Sequence, residues 1–198
     1  MAMFDFSRVV LIGSCAAAVL FVGCSGPVAV PTSFTKYSAK DQSFAIDYPD
    51  TWKAVGGGQS GFYSARFTSG SASIKVTADT VGSLFGTIMD PNKTSSGEEV
   101  PEELKAIYQV HEMGKEKMAE EFSNFQESPP TPVQTVFGDS RLAEFTGGGG
   151  FGGKMHGYRL TALGVDRRIT IVCCCREPDW ETLKPAFRQA IATLSHGR

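Results

Sequence analysis

The residues from 72 to 78 alternate strictly between apolar and polar side chains, in the order Ala, Ser, Ile, Lys, Val, Thr, Ala. Because successive side chains of a strand point to opposite faces, this pattern predicts a β-strand with one face on a core. Segments 44–48 and 63–67 show similar alternation, and Ser69-Gly70 supplies a hairpin turn between 63–67 and 72–78. The first part of the chain therefore predicts an antiparallel sheet.

Later segments add helices and further strands. Helical spacing of apolar residues after Pro101 predicts a helix that runs up to the proline-rich segment 128–132, with its stripe at Leu104, Ile107, His111, Met118 and Phe122. Strands are predicted at 133–137, 141–146, 155–163 and 168–175, the last of them central because it is apolar on both faces. A second amphipathic helix carries Trp180, Leu183, Phe187, Ile191 and Leu194. Gly56–Gly58 is interpreted as a loop and 82–97 as a polar insertion. These elements predict the α+β class.

Composition limits the function classes. The chain has 198 residues, 41% of them hydrophobic and 20% charged, which fits a single globular domain. Its 19 Lys and Arg residues stand against 21 Asp and Glu residues, for a net charge of −2. Nucleic-acid binding usually needs a strongly basic face, so we expect no nucleic-acid partner.

The N-terminus carries an export signal. Arg8 precedes an apolar run of 14 residues from Val9 to Val22, which is too short to span a membrane as a helix. The run ends at Gly23-Cys24 and resembles the lipobox of bacterial lipoproteins. That resemblance implies cleavage before Cys24 and lipid attachment to its thiol.

The domain boundaries follow from that cleavage point. They are a signal peptide at 1–23, a lipidated tether at 24–33 and one domain at 34–198. The location expected is the cell envelope, on the outer membrane facing the periplasm if the organism has two membranes. A plain signal peptide and an uncleaved anchor are the alternatives.

Both ends of the domain resemble a known family. Tyr37, the run 44–49 (FAIDYP) and Trp52, together with Arg168–Ile171 and the C-terminal helix, are similar to the PsbP-like family. This family is named for the extrinsic oxygen-evolving subunit of photosystem II, and its fold is shared with Ran-binding Mog-type proteins. The resemblance implies an antiparallel sheet between helical layers, an α/β/α sandwich. Fold does not imply function, so no photosynthetic role follows.

Three consecutive cysteines are the most unusual local feature. On a strand, Cys173 and Cys175 face one way and Cys174 the other. Burial as small apolar residues is the first interpretation, and a disulfide, redox chemistry or a metal site formed by Cys173, Cys175 and His156 are the alternatives. The segment Gly148–Lys154 has the spacing of a phosphate-binding loop but lacks the following Ser or Thr, so we interpret it as a strand connection.

Three functions stay open at this point. The first is a non-catalytic, lipid-anchored module that binds or scaffolds an envelope protein, with no enzyme activity and no cofactor expected. The second is a thiol or metal site on the 173–175 strand. The third is a small-ligand carrier with the glycine-rich loops and the 82–97 insertion as its rim.

Overall fold

The computed structural model describes residues 28–81, 100–150, 153–164 and 166–197. Cys24, the signal peptide and the 82–97 insertion lie outside the described residues, so their assignments stay predictions. The domain is described from just before its first strand to nearly its last residue.

The described residues form ten strands and two α-helices. The strands are β1 Phe34–Ser38, β2 Ala45–Pro49, β3 Lys53–Gln59, β4 Phe62–Ser69, β5 Ala72–Thr80, β6 Ser123–Glu127, β7 Thr131–Thr135, β8 Gly138–Gly148, β9 Lys154–Leu163 and β10 Arg167–Arg176. The helices are α1 Ala106–Glu121 and α2 Trp180–Ala192, and each is preceded by a short 3-10 turn, at Glu102–Leu104 and Glu177–Asp179.

Eight of these strands form one antiparallel sheet. Its order is β3-β4-β5-β10-β9-β8, and β6 and β7 pair with different parts of β8. The last strand, β10, lies between β5 and β9, which confirms its predicted central position. β1 and β2 form a separate two-stranded sheet, and Ser195 after α2 bridges back to Ala45.

Helices cover opposite faces of the large sheet. α2 and the β1–β2 pair pack on one face, where Trp180, Leu183 and Phe187 are buried against strand residues such as Ile74 and Ile171. The other face meets α1, whose Met118 packs near Phe122, Phe145 and Cys174. The predicted α+β sandwich of an antiparallel sheet between helices is confirmed. Each face has its own core because side chains alternate along every strand.

The glycine run was predicted wrongly. Gly56, Gly57 and Gly58 do not form a loop, because they pair in register with Ala65, Ser64 and Tyr63 as part of β3. A β-carbon at Gly56 would overlap the hydroxyl of Tyr37, which lies across the strand there. Gly56 therefore allows the close approach of Tyr37 to an edge strand, a recognised use of glycine in sheets.

The first helix is shorter than predicted at both ends. Leu104 lies in the preceding 3-10 turn and is 64% exposed, so it is no part of the buried stripe. The helix ends at Glu121, Phe122 is extended, and β6 follows, where a helix was expected to continue to the prolines. Asn124 adopts a positive φ of 50° in this strand, and pairing with β8 supplies the backbone hydrogen bonds that a longer helix would have made.

Candidate functional site

A buried ion-pair network lies beneath α1. Arg159 on β9 donates two hydrogen bonds to the Glu127 carboxylate, at 2.7 and 2.6 Å, and a third to the backbone oxygen of His111 at 2.7 Å. The Arg159 and Glu127 side chains are almost fully buried. Burying a charge without a partner would destabilise the fold. The bidentate pairing and the hydrogen bond to the helix backbone offset that cost. It joins α1, β6 and β9.

Gly114 makes room for this network. A β-carbon at position 114 would stand 2.5 Å from Nη1 of Arg159. A glycine in the middle of a helix normally weakens it by about 1 kcal/mol relative to alanine. Here the missing side chain lets the guanidinium reach the helix backbone, which explains why the sequence carries a glycine at this point.

His111 is fully buried within the same network. Its Nδ1 shares a hydrogen bond of 3.0 Å with Thr161 Oγ1, and its Nε2 lacks a hydrogen-bond partner among the residues that the structure describes. Burial, with the nearby charges of Arg159 and Lys115, lowers the pKa of His111 from 6.5 to about 3. The imidazole is therefore neutral at ordinary pH and holds α1 to the sheet. Its burial agrees with the predicted place of His111 on the apolar stripe of the helix.

A second buried arginine fixes the start of α1. Arg141 on β8 donates to Glu102 at 2.5 Å and to Asp139 at 2.7 Å, and its side chain has no exposed surface. Hydrogen bonds to these two carboxylates keep its pKa above the ordinary value although burial opposes this. Glu102 lies in the 3-10 turn before α1, so Arg141 ties that turn to the sheet.

The opening beside α1 is the best candidate for a binding site. We call it the α1 groove: a cavity of about 220 Å³ whose floor includes Thr77, Thr170 and Val172 and whose helix wall includes Met113 and Lys117. The contacts of α1 are mostly with β6, β8 and β9, and the groove opens between the helix and the adjacent surface of β5 and β10. Arg159 and Thr161 reach its edge from the buried network.

The three predicted thiols do not line the α1 groove, although they follow its floor residue Val172 on β10. Cys173 and Cys175 are buried in the core under α2, while Cys174 is buried on the opposite face beside Ser73, so the predicted alternation is confirmed. All three are free thiols. Burial raises the pKa of Cys175 from 9.0 to about 12 and raises those of Cys173 and Cys174 as well. Thiols that are protonated and shielded are poor nucleophiles.

His156 lies directly across from Cys175 in the β9–β10 register. Its ring does not join the thiols in a metal site. Instead Nε2 lies 2.6 Å from Glu144 Oε1, and the ring stacks on Trp180 with centroids 3.9 Å apart. Within the described part of the chain, no group of three or more His, Cys, Asp or Glu residues is arranged to hold a metal.

The other sequence features have structural explanations. Gly148 ends β8 and Lys154 begins β9, so the segment between them connects two strands and precedes no helix. None of the helices among the described residues is long and apolar enough to cross a membrane.

The sequence analysis missed Arg159 and Gly114. Each is unusual in its element, an arginine inside a buried strand and a glycine inside a helix, and that was the available signal.

The sequence itself matches no protein-family model, and it matches no curated protein. Solved structures do share the fold. Cyanobacterial PsbP (CyanoP) from Synechocystis sp. PCC 6803 is similar over 88% of this chain and 98% of its own, with 17% identity and a TM-score of 0.54.

Two further solved structures show weaker similarity. The Saccharomyces cerevisiae Ran-binding protein Mog1p is similar over 83% of this chain and 95% of its own, with 6% identity and a TM-score of 0.49. Mycobacterium tuberculosis LpqN, described as involved in cell envelope biogenesis, is similar over 87% and 90%, with 12% identity and a TM-score of 0.45. On its likeness to CyanoP, this chain has the PsbP-like fold that its sequence predicts.

Proposed function

We propose that this protein is a lipid-anchored, non-catalytic binding module of the cell envelope, and that its α1 groove is the binding surface. The observation that carries the proposal is the groove itself, which combines an open cavity with polar groups left for a ligand. Thr77 and Thr170 are half-buried cross-strand neighbours, and neither hydroxyl has a hydrogen-bond partner within the described ranges. Both hydroxyls are open to the groove, so a bound group can donate to them or accept from them.

The chemistry of the surrounding groups supports binding over catalysis. His111 is the histidine of the buried network beside the groove. It does not line the groove, and its pKa is lowered to about 3. The thiols lie in the cores of the two faces with raised pKa values. A nucleophile or base needs access to substrate and a pKa suited to proton transfer, and these groups have neither.

The anchor is supported by the sequence alone. The 14-residue apolar run from Val9 to Val22 and the Gly23-Cys24 junction are typical of lipoprotein signals. A single lipidated residue followed by a short tether would keep the domain at the membrane surface. A binding module held there would meet ligands or proteins of the envelope.

Anchoring is tested with Cys24→Ser. We expect the wild-type protein in the membrane fraction, with a mature mass that includes the lipid, and the variant either in the soluble fraction or unprocessed. A variant that stays membrane-bound at the normal mature mass would refute lipid attachment at Cys24.

Binding at the groove is tested by site-specific photocrosslinking in cells. A photoreactive residue at Met113, which is 74% exposed on the helix wall, is compared with one at Val136, which is 54% exposed and lines a different cleft beside α2. We expect an adduct at position 113 and little or none at 136. A protein adduct is read as a shift on a gel, and a small ligand as added mass on the intact chain. Equal labelling at both positions, or none at 113, would refute the α1 groove as the binding surface.

A further inference from the structure

The polar floor and apolar wall of the α1 groove point to the kind of ligand it takes. We infer that the α1 groove binds the carboxylate end of a medium-chain amphiphile, an inference that rests on the proposed function.

Charge favours an anion. The chain has a net charge of −2, yet four cationic side chains and two anionic ones line the groove. Arg159 is neutralised by Glu127, and Arg168 lies 3.0 Å from Asp79. Lys75 has only a loose contact, 3.8 Å from Glu121.

Lys117 is the fourth cationic side chain that lines the groove. It is exposed on the helix wall, and the structure shows no ion pair for it within the ranges described. An incoming anion would therefore meet a cation that need not break an existing pair. This lowers the cost of binding, since desolvating and separating a formed pair opposes association.

Two opposed hydroxyls fit the two oxygens of a carboxylate. Thr77 and Thr170 lie directly opposite each other on β5 and β10, and both side chains line the groove. Directly opposed residues of neighbouring strands have β-carbons about 5 Å apart, so two oxygens of one planar group can reach both hydroxyls. Each hydroxyl can donate one hydrogen bond to an acceptor, and a carboxylate offers acceptors alone. An ammonium group would instead donate to the same hydroxyls, so the preference for an anion comes from Lys117.

Part of the groove lining is apolar. Val172 on the floor and Val110, Met113 and Met118 on the helix wall line it. Methionine adapts its shape to apolar chains and is common on surfaces that accept varied ligands. An alkyl chain that starts at the threonines would run along this wall.

Size limits the chain. A cavity of about 150 Å³ accommodates benzene, so by proportion the 220 Å³ of the α1 groove accommodates about nine non-hydrogen atoms. Octanoate has a comparable size and keeps its carboxylate charged at neutral pH. It is therefore the probe for the experiment.

The experiment uses the full chain with Cys24→Ser, which removes the predicted lipid site and leaves the domain unchanged. Amide chemical shifts are followed during titration with octanoate, octylammonium and acetate. We expect octanoate to shift the amides of Thr77 and Thr170 and to bind at least about tenfold more tightly than either control. Octylammonium that binds as tightly as octanoate would overturn the inference, because an apolar surface alone would then explain the binding.

Variants assign the contacts. Lys117→Gln and Thr170→Val should each weaken octanoate binding about threefold to tenfold, the range expected for one exposed ion pair or one hydrogen bond. Met113→Glu, at an exposed position where folding is not at risk, should weaken it further by repelling the carboxylate. Lys36→Gln, on β1 at the opposite face, is the matched control and should change nothing. Unchanged binding in all three groove variants would refute the site.

Two results separate this inference from the proposed function. A photocrosslinked adduct at Met113 without octanoate binding would overturn the carboxylate assignment alone. Binding of the chain to phosphatidylglycerol vesicles, with no shift by monomeric octanoate, would likewise overturn it and assign the groove to a lipid surface.

Discussion

Gly114 in α1 lies so close to Arg159 in β9 that a β-carbon on the glycine would stand 2.5 Å from Nη1 of the arginine. The guanidinium is held by Glu127 and by the backbone oxygen of His111, so it cannot move aside without losing buried hydrogen bonds. Helix propensity and tertiary packing therefore act in opposite directions at this one position.

Gly114→Ala decides which effect is larger. An exposed helix position would gain about 1 kcal/mol from this change. Here we expect a net loss of about 2 kcal/mol in the free energy of unfolding, because the methyl group displaces Arg159 from a buried ion pair. Urea denaturation measures it. Met113→Ala, one residue earlier and exposed, should stay within about 0.5 kcal/mol, and a stabilised Gly114→Ala would contradict the packing described.

The ion pair should behave as a unit. Arg159→Met leaves the Glu127 carboxylate buried without its partner, and we expect a loss of about 3–5 kcal/mol in the free energy of unfolding. Adding Glu127→Leu removes the orphaned charge and should recover most of that loss. A double-mutant cycle in urea measures the coupling. Additive losses from the two substitutions would show that the residues do not interact.

Acid should destabilise the protein through His111. The pKa of this group is about 3 in the folded chain and 6.5 in the unfolded chain, so between these values the unfolded state binds the extra proton. The stability due to the neutral imidazole is thus fully present above pH 6.5 and is lost as pH falls toward 3. We expect the wild type to lose about 2 kcal/mol more than His111→Leu between pH 7 and pH 4.5. Equal losses in both proteins would refute the assignment.

Alkali should destabilise the protein through its buried thiols. Burial raises the pKa of Cys175 from 9.0 to about 12, so the unfolded chain releases its proton first as pH rises. The stability contributed by this thiol is complete below pH 9 and is lost as pH approaches 12. The fall in unfolding free energy from pH 8 to pH 10 should be smaller in Cys175→Ala than in wild type. A thiol reagent should also label the native strand slowly and the denatured chain quickly, whereas rapid native labelling would revive the redox alternative.

Local patterns in the sequence predicted the alternating strands well, but they missed β1 and β6 and assigned the glycine segment of β3 to a loop. Alternation at 72–78 reports directly which face is buried, and β5 follows it residue by residue. Gly56–Gly58 have no side chains from which to recognise a pattern. Their place in a strand comes from pairing with β4, and Gly56 makes room there for Tyr37 of β1. Glu127 was likewise assigned to a helix because its partner, Arg159, is 32 residues away.

The α1 groove could not be predicted for the same reason. Its threonines come from β5 and β10, 93 residues apart, and become neighbours only through strand register. The polar face of β5 was visible in the sequence, but which part of that face α1 would leave uncovered depends on the buried arginines that position the helix. The sequence analysis instead singled out the cysteines, which are conspicuous by type and are core residues by location.

The run of three cysteines has a consequence for how β10 aligns with its neighbours. A slip of one residue along a strand normally exchanges every buried side chain for an exposed one, and this penalty fixes the pairing. Where three successive residues are identical, the middle position receives the same side chain after a slip in either direction. That end of β10 carries little information about alignment. The register of β10 must therefore be fixed by Arg168, Ile169, Thr170 and Ile171, whose polar and apolar side chains would change places after a slip.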